Sequence, residues 1–270
     1  MSNADYSNIV MEHYNKVAKE EGDSPLSTMK DAYTRKLETD AILNIVDFKM
    51  KECPEQFIKI ADVGCGNGYT LSEIKTKYPK HSYIGIEKNE ALRKIAEERS
   101  NLQMVDIKKG DILAPMSDTF GKFDIVISQR VIINVLDQED QRKAIRNIKE
   151  LVNENGILVL LECFESGLLN LNSARGEYGF PRITPSYHNL YLTEELIKEE
   201  LSEFELVVDG VPPHNFLSTH YYVSRVLHDL TLNGNSFIRN SHFVSFLSEA
   251  IPQNIGDYSP IKLYIYRKMK

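Results

Sequence analysis

Seven residues constrain this chain more than any others: Asp62-Val63-Gly64-Cys65-Gly66-Asn67-Gly68. They follow a short apolar run, Phe57 to Val63, and precede a helix pattern that continues through Tyr78. Glycines at such a strand-to-helix crossing allow a tight turn and let a ligand approach the backbone. The next apolar run, Tyr83-Ile84-Gly85-Ile86, ends in Glu87, 19 residues after Gly68. An acid at that place accepts hydrogen bonds from both ribose hydroxyls, and its charge disfavours a 2′-phosphate. Strand, glycine loop, helix, strand and acid in that order are much more specific than the glycines alone.

The rest of the chain extends the pattern. A charged helix is predicted over Glu90–Arg99, a weak strand over Met104–Ile107, and a strong one over Phe123–Ser128. An amphipathic helix over Gln138–Val152 and a nearly all-apolar strand over Gly156–Cys163 follow. Strands alternating with helices at this spacing imply βαβ units and a parallel sheet. Continuous apolar strands imply that both faces are covered. Residues 1–51 read as two helices. Ile9, Val10, Tyr14 and Val17 mark the first, Gly22-Asp23-Ser24-Pro25 breaks it, and Ser27 or Thr28 caps the second. Beyond Cys163 the segment 164–192 reads as irregular. Thr193–Ser202 is a capped helix and Phe204–Val211 a strand. Thr219–Leu232 and His242–Ala250 are helices, and Ile261–Arg267 is an alternating strand.

Composition removes several classes. The 270 residues, 42% hydrophobic and 26% charged, carry enough apolar material for one sizeable core, and the length admits one to two domains. No apolar run approaches the ~20 residues that span a bilayer, and Met1 to Val10 lacks a secretory signal pattern. Cys53, Cys65 and Cys163 form neither a disulfide framework nor a metal site, so a cytoplasmic location is the default. His214 and His220 have no nearby cysteine, so no metal site is expected. A net charge of -7 argues against non-specific nucleic-acid binding.

The loop spacing separates two cofactors. A dinucleotide fingerprint is G-x-G-x-x-G, whereas here the glycines run G-x-G-x-G and Tyr69 follows. Over about residues 58–163 the chain resembles the class I S-adenosylmethionine (SAM)-dependent methyltransferases. That resemblance implies a Rossmann-like, doubly wound, mostly parallel seven-stranded α/β sheet, with an N-terminal helical lid and helical insertions. It implies a single methyltransferase domain over 1–270: lid 1–51, SAM-binding core 57–163, and acceptor-site insertions 164–192 and 212–259. Asp62, Gly64, Cys65, Gly66 and Gly68 would hold the amino-acid end of SAM, with Cys65 a small buried side chain and no nucleophile. Glu87, with Lys88, would hold the ribose. Asp111 and Ile112 would lie near the adenine, and Gln129 and Arg130 beside the transferred methyl. The product would be S-adenosylhomocysteine (SAH).

Methyl transfer needs alignment, exclusion of water and sometimes removal of a proton. Arg35 is expected to pair with the SAM carboxylate, and Tyr14 or Tyr33 to wall the site. The alternative for that stretch is a solvated helix face with aromatic core residues. His188 is the candidate general base, because imidazole titrates near neutrality. Arg130, Arg175 and Arg182 are candidates for holding an anionic acceptor, with Tyr178 and Asn189 also expected on the substrate side. The favoured function is methylation of a small molecule, at oxygen, with an anionic metabolite or a sugar as candidate acceptors, by a monomer or homodimer without membrane or nucleic-acid partners. Three competitors stay open: methylation of RNA or protein, a nicotinamide-dependent oxidoreductase, and a non-catalytic SAM-binding subunit. Ser128-Gln129-Arg130-Val131 stands where many nitrogen methylators carry an N-P-P-Y-type motif.

Overall fold

The structure is a computed structural model that describes residues 3–54, 56–232 and 240–269. Its frame is one seven-stranded sheet in the order β3-β2-β1-β4-β5-β7-β6. The strands are β1 (Lys59–Val63), β2 (Ser82–Glu87), β3 (Asp106–Lys109), β4 (Phe123–Gln129), β5 (Val152–Cys163), β6 (Phe204–Leu206) and β7 (Ile261–Lys268). The first five pair in parallel, and β7 runs antiparallel to both β5 and β6. The expected doubly wound, mostly parallel sheet is therefore the observed one. Strand order reverses between β1 and β4, and ligands bind outside the carboxyl ends of the strands at such a point.

The helices are, in chain order, α1 (Asn3–Glu21), α2 (Ala32–Glu52), α3 (Tyr69–Lys77), α4 (Glu90–Glu98), α5 (Ser117–Phe120) and α6 (Gln138–Lys149). Then come α7 (Glu165–Gly176), α8 (Glu194–Glu200), α9 (Ser218–Tyr222), α10 (His228–Thr231) and α11 (His242–Ala250). A π-helical turn, Val223–Leu227, joins α9 to α10. The core follows from the apolar strands. Ile60, Ile125 and Ile157 to Leu161 are fully buried, with Ile42, Ile45 and Val46 of α2 packed in the same cluster. Among the described residues no helix is long and apolar enough to cross a membrane.

Three local expectations are corrected. The cap of α2 is Asp31, which accepts from the Thr34 N–H at 3.0 Å; Ser27 and Thr28 lie before it in the connecting strap. The third strand begins at Asp106, because Met104 adopts φ +73 and is fully exposed. The segment 164–192 is not wholly irregular, since α7 occupies its first half. That helix carries Gly, Ser and Asn, which weaken local helix preference. It is held by buried Leu168 and Leu171, and by Gly167 packed so closely on Ser259 that a Cβ would lie 1.9 Å from its carbonyl oxygen. Residues 233–239 of the expected second insertion lie outside the described residues.

Candidate active site

The β1–α3 loop turns on glycines in the left-handed region: Gly64 at φ +70, Gly66 at +56 and Gly68 at +76. Side chains rarely adopt that conformation. Glu87, at the end of β2, ties the loop down. Its Oε2 accepts from the Gly66 N–H (2.9 Å) and its Oε1 from the Asn89 N–H (2.6 Å). Burial pushes the Glu87 pKa up, against those backbone donors.

Asp62, at the end of β1, is only 2% exposed, yet it lines a cleft above the strand ends. Among the described residues its carboxylate has no hydrogen-bond or ion-pair partner. Burial pushes its pKa up to about 7, opposed by the Arg35 charge and reinforced by Glu87. The carboxylate faces the cleft with no protein donor, which leaves it open to a ligand's donor.

The cleft holds about 1140 Å³ of space, its open mouth included. One wall is an ionic knot around Glu38, which is fully buried. Arg35 approaches Glu38 at 3.7 Å and Arg130 at 3.2 Å, while the Gln129 amide donates to it at 3.0 Å. Thr70 in turn donates to Gln129 at 2.7 Å, and the Arg35 guanidinium lies 4.8 Å over the Tyr69 ring. Two arginines around one carboxylate leave a net positive wall opposite Asp62. Arg130 is a non-glycine residue at φ +56, and such strain clusters at functional sites.

Helix α1 roofs the cleft with Ser7, Val10, Met11 and Tyr14. The Tyr14 hydroxyl donates to Asn134 Oδ1 (3.0 Å), and Asn134 Nδ2 donates to the Arg130 carbonyl (2.8 Å). Burial pushes the Tyr14 phenol up to about 12. The strap between α1 and α2 is fastened by its carbonyls. Asn67 donates to Gly22 and Ser24, Arg99 to Asp23, and Arg130 to Thr28.

The structure brings together most of the residues singled out from sequence. Asp62, Gly64, Cys65, Gly66, Glu87, Lys88, Asp111, Ile112, Gln129, Arg35, Arg130 and Tyr14 all line the cleft. Asp111 pairs with Lys88 at 2.9 Å on its rim. Gly68 stands back from the cleft and serves packing: a Cβ there would lie 2.6 Å from Leu102. The remaining candidates are elsewhere. Arg175 lies outside the cleft lining, its Nε and Nη1 bound to Pro181 O (3.0 Å), Asp229 (2.6 Å) and Arg225 O. Arg182 and Tyr178 are exposed. Tyr33 lies against His220 and receives a hydrogen bond from Gln253.

His188 stacks on His13 with ring centroids 3.7 Å apart and lies 6.2 Å from the Tyr14 ring. Burial pushes its pKa down to about 4, with His13 adding to the shift. His188 Nδ1 and Asn189 Oδ1 are buried without a partner among the described residues. Asn134 belongs to the 130–134 stretch and Asn67 to the glycine loop that the sequence singled out, whereas sequence reasoning gave Glu38 no role of its own. The available signal was a glutamate inside an otherwise core-facing helical stripe, where a charge needs partners.

Comparison with known proteins accounts for this arrangement. A methyltransferase-domain family model matches residues 55–208. The chain belongs to that family, the class I SAM-dependent methyltransferases. An uncharacterized protein of Rickettsia prowazekii is 28% identical over 146 residues, covering 53% of this chain and 56% of that protein. A malonyl-acyl-carrier-protein O-methyltransferase of Bacillus cereus is 23% identical over 172 residues, covering 62% and 61%. The chain thus spans little more than half the length of these two curated relatives. Among solved structures, the SAM-bound magnesium protoporphyrin IX methyltransferase of Synechocystis PCC 6803 shares the fold with a TM-score of 0.56, at 12% identity and 97% coverage of each chain. A SAM-dependent methyltransferase from Anabaena variabilis also gives 0.56, at 14% identity, covering 100% of this chain and 96% of that one.

The residues present fit the family's cofactor. The orphaned Asp62 carboxylate suits a cationic amino group, and the Arg35 wall suits its carboxylate. Glu87 keeps free lone pairs for ribose hydroxyls. Above Gly66 a Cβ would meet only Thr28, at 4.0 Å, so a ligand can approach the backbone there.

Proposed function

We propose that the protein transfers the methyl group of SAM to a small-molecule acceptor, at oxygen. The observation that carries this is the roofed cleft: α1 and the fastened strap enclose it, which suits a discrete acceptor better than a duplex or a protein surface. Bound SAM supplies an electrophilic methyl on a sulfonium. The chain's residues hold, orient and exclude water. Asp62 and Arg35 hold the amino-acid end, Glu87 the ribose, and Asp111 and Ile112 border the adenine. Arg130, Val131, Asn134 and Tyr14 face the acceptor. His188, kept neutral by burial, is our candidate proton acceptor, its ring 6.2 Å from that of Tyr14 and outside the cleft lining, with Asn189 beside it in sequence. At the acceptor end a neutral hydroxyl fits better than an anion, because Arg130 is already engaged with Glu38 and the Thr28 carbonyl.

Calorimetric titration with SAM, SAH and NAD, on wild type and on Gly66→Arg, tests the cofactor. Micromolar SAM and SAH binding lost in the variant supports the reading. Failure of folded wild type to bind either sulfur ligand overturns it. Acceptor pools with methyl-labelled SAM then test the small-molecule class, and labelling confined to RNA or protein fractions refutes it.

A further inference from the structure

Strand β5 carries a carboxylate where its pattern calls for an apolar side chain. Glu162 follows Leu158 to Leu161 and is fully buried. A charge taken out of water is expensive unless several donors hold it. Four do so here. Ser128 Oγ, on β4, donates to Oε1 at 2.8 Å. The backbone N–H groups of Val131 (2.9 Å) and Ile132 (3.2 Å) donate to the same oxygen, and that of Ile133 (3.4 Å) donates to Oε2. Three successive N–H groups meet one carboxylate only if the chain curls around it. The residue that starts the curl, Arg130, takes the left-handed conformation at φ +56, which is strained for a residue with a Cβ. The carboxylate is the group that offsets this strain.

We propose that Glu162 is a positioning residue that fixes the 130–134 wall and, through it, aims the acceptor-facing groups. The proposal rests on the methyl-transfer reading above. The links are continuous. Glu162 holds residues 131–133, and Asn134 closes back on the Arg130 carbonyl and receives the Tyr14 hydroxyl. The Ile133 carbonyl receives the Leu190 N–H at 2.8 Å, which seats the segment bearing His188 and Asn189. One side chain in the sheet therefore registers Tyr14, which lines the cleft, and residues 188–190 behind it. It lines neither the cofactor cleft nor its mouth. A neutral amide cannot replace it: Gln would keep one acceptor oxygen but turn an NH2 donor toward the Ile133 N–H.

The test uses the full chain, with SAH as the probe, at pH 8. In Glu162→Gln, hydrogen exchange at 130–134 should rise at least tenfold, while the amides of β4 and β5 keep their protection. The Val131 and Ile132 amide protons should move upfield as they lose a charged acceptor. SAH affinity should change less than threefold, because Asp62 and Glu87 are untouched. Unchanged exchange and amide shifts at 130–134 would overturn the proposal. So would loss of protection spread through β4 and β5, which marks a general stability role. If Glu162→Gln does not fold, Asn134→Ala carries the test, since it frees Tyr14 without touching β5. Exchange over residues 10–17 should then rise at least tenfold, and no rise refutes the link to α1. Wild type that fails to bind SAH would sink the methyl-transfer reading separately, whatever the loop does.

Discussion

On the proposed reading, in which the SAM amino group sits against Asp62, cofactor binding is a proton-linked event. The Asp62 carboxylate is buried, lacks a partner and has a pKa near 7 in place of the ordinary 3.8. A raised folded-state pKa means that this group favours folding while protonated. That contribution is full below pH 3.8 and lost as pH climbs through about 7. The gap of about three units corresponds to roughly 4 kcal/mol at ~1.4 kcal/mol per unit. A cationic amino group beside Asp62 restores the ionised form, so SAM binding must expel the proton that Asp62 carries. At pH 6 about 0.9 of a proton should be released per SAM bound, and at pH 8 about 0.1. SAM affinity should accordingly rise up to about tenfold per pH unit below 7 and level off above it. Calorimetry in phosphate and in imidazole, both of which buffer near pH 6 and whose ionisation enthalpies differ, counts the proton directly. Asp62→Asn should abolish the release and weaken binding. Identical apparent enthalpies in the two buffers at pH 6, or undiminished release from Asp62→Asn, would refute the reasoning. Glu87 is raised as well, so the variant is what assigns the proton to Asp62.

Arg35→Ala removes the cation facing the cleft and should raise the SAM dissociation constant about tenfold or more, in line with the ~1.5–3 kcal/mol of a hydrogen bond to a charged group; an unchanged constant in calorimetry removes its role. Gly64→Ala places a Cβ 2.4 Å from Val131 Cγ2 at φ +70, so urea unfolding should show a loss of about 2–5 kcal/mol from strain and overpacking together, and a loss under about 0.5 kcal/mol contradicts the geometry. His220→Ala strips Asp31 of its 3.1 Å partner in a fully buried site, which should cost about 3–5 kcal/mol. Burial alone would raise Asp31, but the His220 hydrogen bond and charge, with the Thr34 N–H and Arg225, hold it well below the usual carboxylate range. That stability exists above the ordinary Asp pKa and is lost as pH falls, so thermal unfolding of the variant should show a flatter acid limb than wild type.

What the sequence made legible was local. The five parallel strands, the glycine loop and Glu87 are written in contiguous runs whose chemistry needs no distant partner. Asp31 shows the limit: it caps α2, but its other partner, His220, lies 189 residues away, so Ser27 and Thr28 looked equally suitable. Helix α7 was invisible because its own residues favour a helix weakly, and the surface that stabilises it comes from Ser259 and the strand beyond. Arg175 read as a candidate anion ligand until the fold placed it outside the cleft lining, bound to Asp229 and two carbonyls. Glu38 and Glu162 gave the faintest signal of all, one hidden in a charged stretch of α2 and the other a single carboxylate at the end of an apolar run. Their meaning appeared only when backbone N–H groups and arginines from other elements converged on them.

The fastening of the strap sets the leverage of α1. Asn67 grips the carbonyls of Gly22 and Ser24 just past the helix end, so α1 pivots at its carboxyl end. At ~1.5 Å rise per residue, Tyr14 sits about 12 Å from that pivot and Ser7 about 22 Å. A swing of about 10° therefore displaces Ser7 by roughly 4 Å and Tyr14 by only about 2 Å. Such a swing would widen the cleft first at Ser7, beside Lys88, and least at the Tyr14 end.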